Sequence, residues 1–293
     1  MTRRREGDAI AIPGDYQARA LESPRAAQRF WHAAKLRILD RIAPPRPGAR
    51  IADAGCGSGV IAGHAAKIAR QVVGFDSNPE AIRYASEAFG SDRVRFVLGP
   101  FERIVDEGPF DQIYCLEVIE HLYEEQVIET LRLFSRAAAP EAQLLVTTPN
   151  AHSAWPLIEW SLDRLHLAPT LGQAQHLTSF SRKSLLRALD RAGWRVEELG
   201  TFNGVAPFVA PLSESLARGI EHVEFRARRI LPCNLLYARA RRASLVATGG
   251  RSDGPASDST SCSKIVGSGS PPNAALRGVM GDGLEVCRSS SAG

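Results

Sequence analysis

IADAGCGSG, Ile51 to Gly59, is a short apolar run that carries an aspartate into three glycines at alternate positions. A strand that enters a glycine-rich turn and opens a helix is an arrangement for binding a nucleotide. Residues without a Cβ let main chain approach a ligand, and a helix N-terminus favours negative charge. The spacing then discriminates. A dinucleotide fingerprint, G-x-G-x-x-G, would put its third glycine at position 60, which is Val60. Here the pattern is Asp53-x-Gly55-x-Gly57-x-Gly59, and an acid two residues before the first glycine suits a ligand with positive charge rather than a pyrophosphate. Asp76 closes the next apolar run, VVGFD, where a carboxylate can accept both hydroxyls of a ribose. Together these residues describe a nucleoside with a cationic amino-acid arm.

Outward from that stretch, short β-rich apolar runs alternate with longer helical patterns, as in a doubly wound, Rossmann-like sheet with helices on both faces. RIADA, QVVGFD, VRFVL, FDQIYCL, AQLLVTT, WRVEELGTF and NLLYARA read as seven strands. VIAGHAAKIA, PEAIRYASEAF, EEQVIETLRLFSRAA and RKSLLRALDRAG read as helices, the second with Asn78 and Pro79 at its N-cap and first turn. Residues 1–48 form an N-terminal segment in which QRFWHAAKLRILDRIAP spaces Phe30, Ala34 and Ile38 as a leading helix that covers the sheet or the ligand. The domain itself is expected over 49–243, with helical insertions near 151–176 and 207–231. The first spaces Trp155, Ile158, Leu162 and Leu165 on one helix face, and the second Leu212, Leu216, Ile220, Val223 and Ile230. Each insertion reads either as a cap over a site or as an ordinary core-facing helix. Residues 244–293, rich in Gly, Ser and Pro, are expected to be a disordered tail.

Composition excludes several classes. With 44% hydrophobic residues the 293-residue chain can close a substantial core. The balance of 36 Lys+Arg against 32 Asp+Glu is too mild for a dedicated nucleic-acid binder. Five cysteines without a CxxC pair indicate neither a disulfide framework nor a zinc site. The basic start MTRRREGDAIAIPGDY lacks a following apolar region, and eighteen apolar residues nowhere run together, so a cytoplasmic protein is expected.

These motifs resemble the class I S-adenosylmethionine-dependent methyltransferases. IADAGCGSG looks like their first motif, VVGFDSNPEAI their second, FDQIYCLEVIEHL the fourth-strand motif and LLVTTPN the end of the fifth strand. HLTSFSRKSLLRALDRAGWRVEEL resembles the later segment of the group that includes the ubiquinone-biosynthesis O-methyltransferases. The resemblance spans roughly residues 28 to 242 and implies a seven-stranded sheet whose last strand is antiparallel. It places S-adenosylmethionine against Asp53, Gly55, Cys56, Gly57 and Gly59, with Asp76 on the ribose, Ser77 and Asn78 beside it, and Leu116 nearby. Many relatives carry an acid beside the adenine where this chain has Pro100, which leaves recognition to backbone near Phe101 and Glu102. Phe101 reads equally as an adenine contact or a core aromatic.

Methyl transfer from a sulfonium is an in-line displacement that requires alignment and often removal of a proton from the nucleophile. LEVIEHL, at the end of the fourth strand, offers Glu117, Glu120 and His121 as catalytic residues, and His176 arrives from the later segment. An imidazole titrating near neutrality makes His121 a candidate general base. In the small-RNA 2′-O-methyltransferases, which share the E-x-x-E-H pattern, such residues hold a divalent cation, which here would be Mg²⁺ or Mn²⁺. The alternative is that the acids only cap the next helix. Asn150 serves either the substrate or the TPN turn. Trp155 and Trp160 favour an apolar or aromatic small-molecule acceptor, with no specific nucleic acid. Arg218, Arg226, Arg228, Arg229, Arg239, Arg241 and Arg242 outnumber Glu221 and Glu224 in a basic region that suits an anionic membrane surface, a phosphorylated substrate or plain solvent. An O-directed small-molecule methyltransferase is expected, with an RNA-end methyltransferase and a non-catalytic cofactor-binding regulator as alternatives.

Overall fold

The computed structural model describes residues 13–153 and 177–243. Seven strands form one sheet in the order β3-β2-β1-β4-β5-β7-β6. They are β1 (Arg50–Ala54), β2 (Gln71–Asp76), β3 (Val94–Leu98), β4 (Phe110–Leu116), β5 (Ala138–Pro149), β6 (Trp194–Phe202) and β7 (Leu235–Arg242). β7 lies between β5 and β6 and runs antiparallel to both, while β1 to β5 pair in parallel. This is the class I methyltransferase fold that the sequence resemblance implies. From β1 the chain winds outward to β3 and then returns to β4 on the other side of β1. That reversal opens a crevice beyond the carboxyl ends of β1 and β4, where ligands of such sheets bind.

The central strands are near-continuous apolar runs because both sheet faces are covered. Alternate residues feed two cores. One face gathers Phe75, Phe110, Ile113, Phe134 and Trp194, the other Ile51, Tyr114, Leu145 and Tyr237. Helices α6 (Glu124–Ala137) and α7 (Arg182–Arg191) cover the first face through Val127, Leu131 and Leu185. On the second face lie α2 (Ala26–Ile42) and α3 (Val60–Ala65), so the leading helix does bury Phe30, Ala34 and Ile38. Two large polar aromatics of this interior are partnered: the Trp194 indole donates to the Leu131 carbonyl at 2.9 Å, and the Tyr114 hydroxyl to the Ala43 carbonyl at 2.9 Å. Helix α4 (Pro79–Phe89) starts as its sequence signals, with the Asn78 side chain accepting from the Glu80 amide at 2.9 Å. Two short helices, α1 (Tyr16–Leu21) and α5 (Arg103–Glu107), have no periodic signal strong enough to announce them.

The insertion near 151–176, with Trp155 and Trp160, lies mostly outside the described residues, as does the tail 244–293. The insertion near 207–231 carries α8 (Ala206–Val209) and α9 (Glu214–Arg226), and here the apolar spacing misleads. Leu212, Leu216, Val223 and Ile230 are 86%, 56%, 62% and 82% exposed and face solvent instead of the core, while Ile220 of the same row packs against Phe30, Ala206, Ala210 and Ala217. The buried side of α9 is set by Ala217 and by two acids that find partners inside. Glu221 accepts from Arg37 of α2 at 2.6 Å, and Glu224 accepts from the amides of Gly204, Val205 and Ala206 at the start of α8. Of the seven arginines in the basic region, four are also committed. Arg228 and Arg239 pair with Glu198, Arg241 pairs with Glu197, and Arg242 donates to the Ala138 carbonyl.

Candidate cofactor and acceptor site

The three glycines of the opening motif all adopt left-handed backbone, with φ of 77° at Gly55, 48° at Gly57 and 78° at Gly59. Their surroundings differ. A Cβ at Gly55 would lie 2.4 Å from Val118 Cγ2, and one at Gly59 would lie 2.8 Å from Ala85 and 2.9 Å from Phe96. Those two positions are small because protein packs against them. Only Gly57 borders open space, its nearest neighbour being Gln17 Oε1 at 3.8 Å. Gly57 is therefore the residue whose bareness leaves room for a ligand.

Asp76 ties this loop to β2. Its Oδ2 accepts from the Gly57 amide at 2.8 Å and its Oδ1 from the Asn78 amide at 2.9 Å, so its carboxylate is already oriented at the crevice edge. Ser77 is exposed beside it, Asn78 is occupied in capping α4, and Leu116 is buried at the end of β4. Cys56 is buried, with its thiol pushed well up by burial and then by Asp53 and Asp76, which makes it a filler beneath the loop rather than a reactive group. Asp53 is only 2% exposed. Its carboxyl is raised to about 7 by burial, relieved in part by the Ala62 amide and worsened by Asp76. Oδ2 has no hydrogen-bond partner. An orphaned buried carboxylate oxygen is costly, and a positively charged amino-acid group brought into the crevice fits the missing charge.

Residues 14–18, ahead of the leading helix, pack against the glycine loop and the start of α4. The Ala18 amide of α1 donates to Ser58 Oγ at 3.1 Å, and a Cβ on Gly14 would meet the Glu80 carbonyl carbon at 2.5 Å. Phe101 is half-buried, with its ring edge-on to Phe134 at 5.8 Å, so of its two readings the core aromatic describes where it sits. Leu98, paired in register with Asp76 and 49% exposed, supplies apolar surface beside that carboxylate.

At the end of β4 the chain turns sharply. Glu117 is held at φ 61°, rare for a residue with a side chain and a mark of functional sites. Its Oε1 accepts from Thr147 Oγ1 at 2.9 Å, while Glu120 Oε2 accepts from Thr148 Oγ1 at 3.1 Å. Both threonines belong to the same buried strand end. Glu120 is buried, and its carboxyl is pushed well above the usual range by burial and then by the Glu117 charge, with a backbone hydrogen bond, the Thr148 hydroxyl and last Lys35 pulling it back. His121 stands half-buried on the short 3-10 turn Ile119–His121. The Leu177 and Thr178 amides donate to the Glu120 carbonyl at 2.8 and 3.1 Å, so the later segment does return to this turn, but His176 itself lies outside the described residues. Asn150 is spent structurally: its side chain donates to the Cys233 carbonyl and accepts from the His152 amide.

Two side chains of α2 join this end of the sheet without having been anticipated. Lys35 is buried and acts electrostatically on both Glu120 and His32. His32, stacked edge-on to Tyr16 at 5.5 Å, is lowered to about 3 by burial and by Lys35. The signal was present as polar residues interrupting the apolar stripe of the leading helix. Among the described residues no three His, Cys, Asp or Glu side chains form a group able to hold a metal, and His176 lies outside them.

The profile of the family described as "Methyltransferase domain" matches residues 25–199. The chain belongs to the S-adenosylmethionine-dependent methyltransferases. It is 30% identical over 139 residues to a ubiquinone biosynthesis O-methyltransferase of Xanthomonas campestris, covering 42% of this chain and 57% of that protein. A probable S-adenosylmethionine-dependent methyltransferase of Mycolicibacterium smegmatis is 26% identical over 183 residues, covering 61% and 65%. The chain thus spans only part of these curated relatives. Among solved structures, a SAM-dependent methyltransferase from Archaeoglobus fulgidus superposes with a TM-score of 0.52 over 72% of this chain and 94% of its own, at 20% identity. Magnesium protoporphyrin IX methyltransferase from Synechocystis, with bound SAH, gives 0.52 over 78% and 94% at 15% identity. Both likenesses concern the fold.

Proposed function

We propose that this protein moves the methyl group of S-adenosylmethionine to an oxygen of a lipophilic or aromatic small molecule. The observation that carries the cofactor side of this reading is the pairing of an unfilled carboxylate, Asp53, with the open ground beside Gly57. Asp53 would balance the ammonium of the methionine arm. Asp76, pre-oriented by two amides, would accept from the ribose hydroxyls, and Leu98 would lie against the adenine. When bound, the sulfonium supplies an activated methyl group.

The acceptor side rests on the β4 turn. His121 would take the proton from the acceptor hydroxyl, a contribution of roughly 10²–10⁴-fold for a positioned base. Glu117, fixed by Thr147, would stabilise the imidazolium that results, and Glu120, pushed towards its neutral form and held by Thr148, would keep the turn in place. O-methylation by the distant Xanthomonas relative supports the same acceptor atom.

A screen of phenolic and other lipophilic acceptors, read by release of S-adenosylhomocysteine, tests the proposal. Turnover with a phenol, falling at least about 100-fold in His121→Ala, is the expected result. Cofactor binding without turnover on any acceptor would favour a regulatory protein. In calorimetry Asp76→Ala should weaken S-adenosylmethionine at least about tenfold, since two hydroxyl hydrogen bonds to a charged group are lost. Unchanged affinity would remove the ribose assignment.

A further inference from the structure

Ten large apolar side chains are exposed among the described residues, and six of them, Val205, Phe208, Leu212, Leu216, Val223 and Ile230, fall within one segment of 26 residues around α8 and α9. Single exposed apolar residues need no explanation, but a concentrated row does. Leu216, Val223 and Ile230 recur at helical spacing, and Leu212 leads into the row just before the helix. Charge divides across the same segment. Arg218, Arg226 and Arg229 are exposed, whereas Glu221 and Glu224 are turned inward onto Arg37 and the α8 amides. The one exposed acid of the helix, Glu214, is paired with Arg29 at 2.8 Å. The outer side of this segment therefore shows leucine, valine and isoleucine interleaved with arginine, with its acids neutralised by partners.

From this separation we infer that the outer face of the α8–α9 segment docks on an anionic lipid bilayer. A helix lying in an interface places an apolar row below the headgroups and arginines at their level. Each arginine near an anionic surface adds attraction that fades with salt. Side chains 56–86% exposed along the row can sink individually into a deformable surface, which suits a bilayer better than a partner with a matching pocket. Of the seven arginines in the basic region, only the three outside the β6–β7 ion pairs take part. The inference does not depend on which acceptor is methylated, and its test does not require activity.

The full chain would be sedimented with vesicles of phosphatidylcholine alone and with about 30 mol% phosphatidylglycerol added. Strong binding to the anionic vesicles only, released by about 0.5 M salt, is expected. Arg218→Glu with Arg226→Glu and Arg229→Glu should cut that binding by roughly 100-fold or more. Leu212→Glu with Val223→Glu should cut it at least about tenfold, and both variants should keep the wild-type melting temperature and S-adenosylmethionine affinity. Four results would overturn the inference. They are failure to bind either vesicle, equal binding to both, variants that bind like wild type, and a melting temperature several degrees lower in the leucine-valine variant, which would mean that the chain's own residues 154–176 or another part of it cover the face. A wild-type dimer dissociated by the same substitutions would assign the face to a second copy and overturn it equally.

Discussion

Asp53 is a buried acid whose charge the protein alone does not balance. Its carboxyl binds a proton more tightly in the fold, at about 7, than in the unfolded chain, where 3.8 is usual. The cost of burying it ionised is therefore absent below about pH 4, grows by about 1.4 kcal/mol per pH unit, and is complete above about pH 7. Asp53→Asn removes that dependence. The ligand-free variant should match wild type near pH 4 and exceed it by a few kcal/mol at pH 8 in urea unfolding, while binding S-adenosylmethionine more weakly. Parallel stability curves for the two proteins would refute the assignment. Calorimetry adds a second readout, since wild type should release close to one proton on binding at pH 6 as the incoming ammonium forces ionisation. The acid itself was legible in the spacing Asp53-x-Gly55. Which glycine makes room for a ligand was not, because Val118, Ala85 and Phe96 come from elements far along the chain and only folding brings them against Gly55 and Gly59.

At the scale of elements, α2 and the segment before it do more than cover a sheet. His32 is held neutral, titrating at about 3 against 6.5 for an ordinary histidine. A base depressed in this way contributes no penalty above about pH 6.5, and costs about 1.4 kcal/mol for each unit the pH falls below it towards 3. His32→Gln should therefore flatten the acid side of the stability curve by that slope between pH 6 and 4, and a variant with the wild-type slope would show that the ring is not the titrating group. Gly14 tests the cover over the crevice. Its place against Glu80 admits no Cβ, so Gly14→Val should lift α1 from the glycine loop and speed S-adenosylmethionine dissociation, raising Kd roughly tenfold with a small change in melting temperature. Equal dissociation rates by stopped flow would leave α1 without that role. The strands were legible because two-sided burial writes itself as apolar runs, and the start of α4 because Asn78 and Pro79 state it locally. In α9 the period was right and the face was wrong. Leu216 and Val223 point outward because Glu221 and Glu224 have better partners inside, in Arg37 and in three backbone amides, and no pattern within the helix reveals those partners.

For the whole molecule, the sheet order places a crevice at the β1–β4 reversal, and the orphaned Asp53 oxygen and the pre-oriented Asp76 carboxylate both lie there. A ligand that binds only the folded state stabilises it by RT ln(1 + [L]/Kd), about 2.7 kcal/mol at a hundredfold excess over Kd. For a folded unit of this size that is a rise of roughly 5–10 °C in melting temperature. S-adenosylmethionine should produce such a rise. S-adenosylhomocysteine should do the same, because it keeps the ribose and the ammonium that Asp76 and Asp53 would hold. NADH at the same concentration should not. Its pyrophosphate would be brought up to a loop whose third glycine is displaced from position 60, between two carboxylates that repel it. The pH dependence of the shift carries the sharper argument. If Asp53 must ionise to receive the ammonium, the stabilisation by S-adenosylhomocysteine should grow as pH rises from about 5 to 7, in the range where ligand-free Asp53 gives up its proton, and Asp53→Asn should abolish that growth. A rise with NADH, or a shift by S-adenosylhomocysteine indifferent to both pH and Asp53, would mean that the crevice was shaped for a different charge.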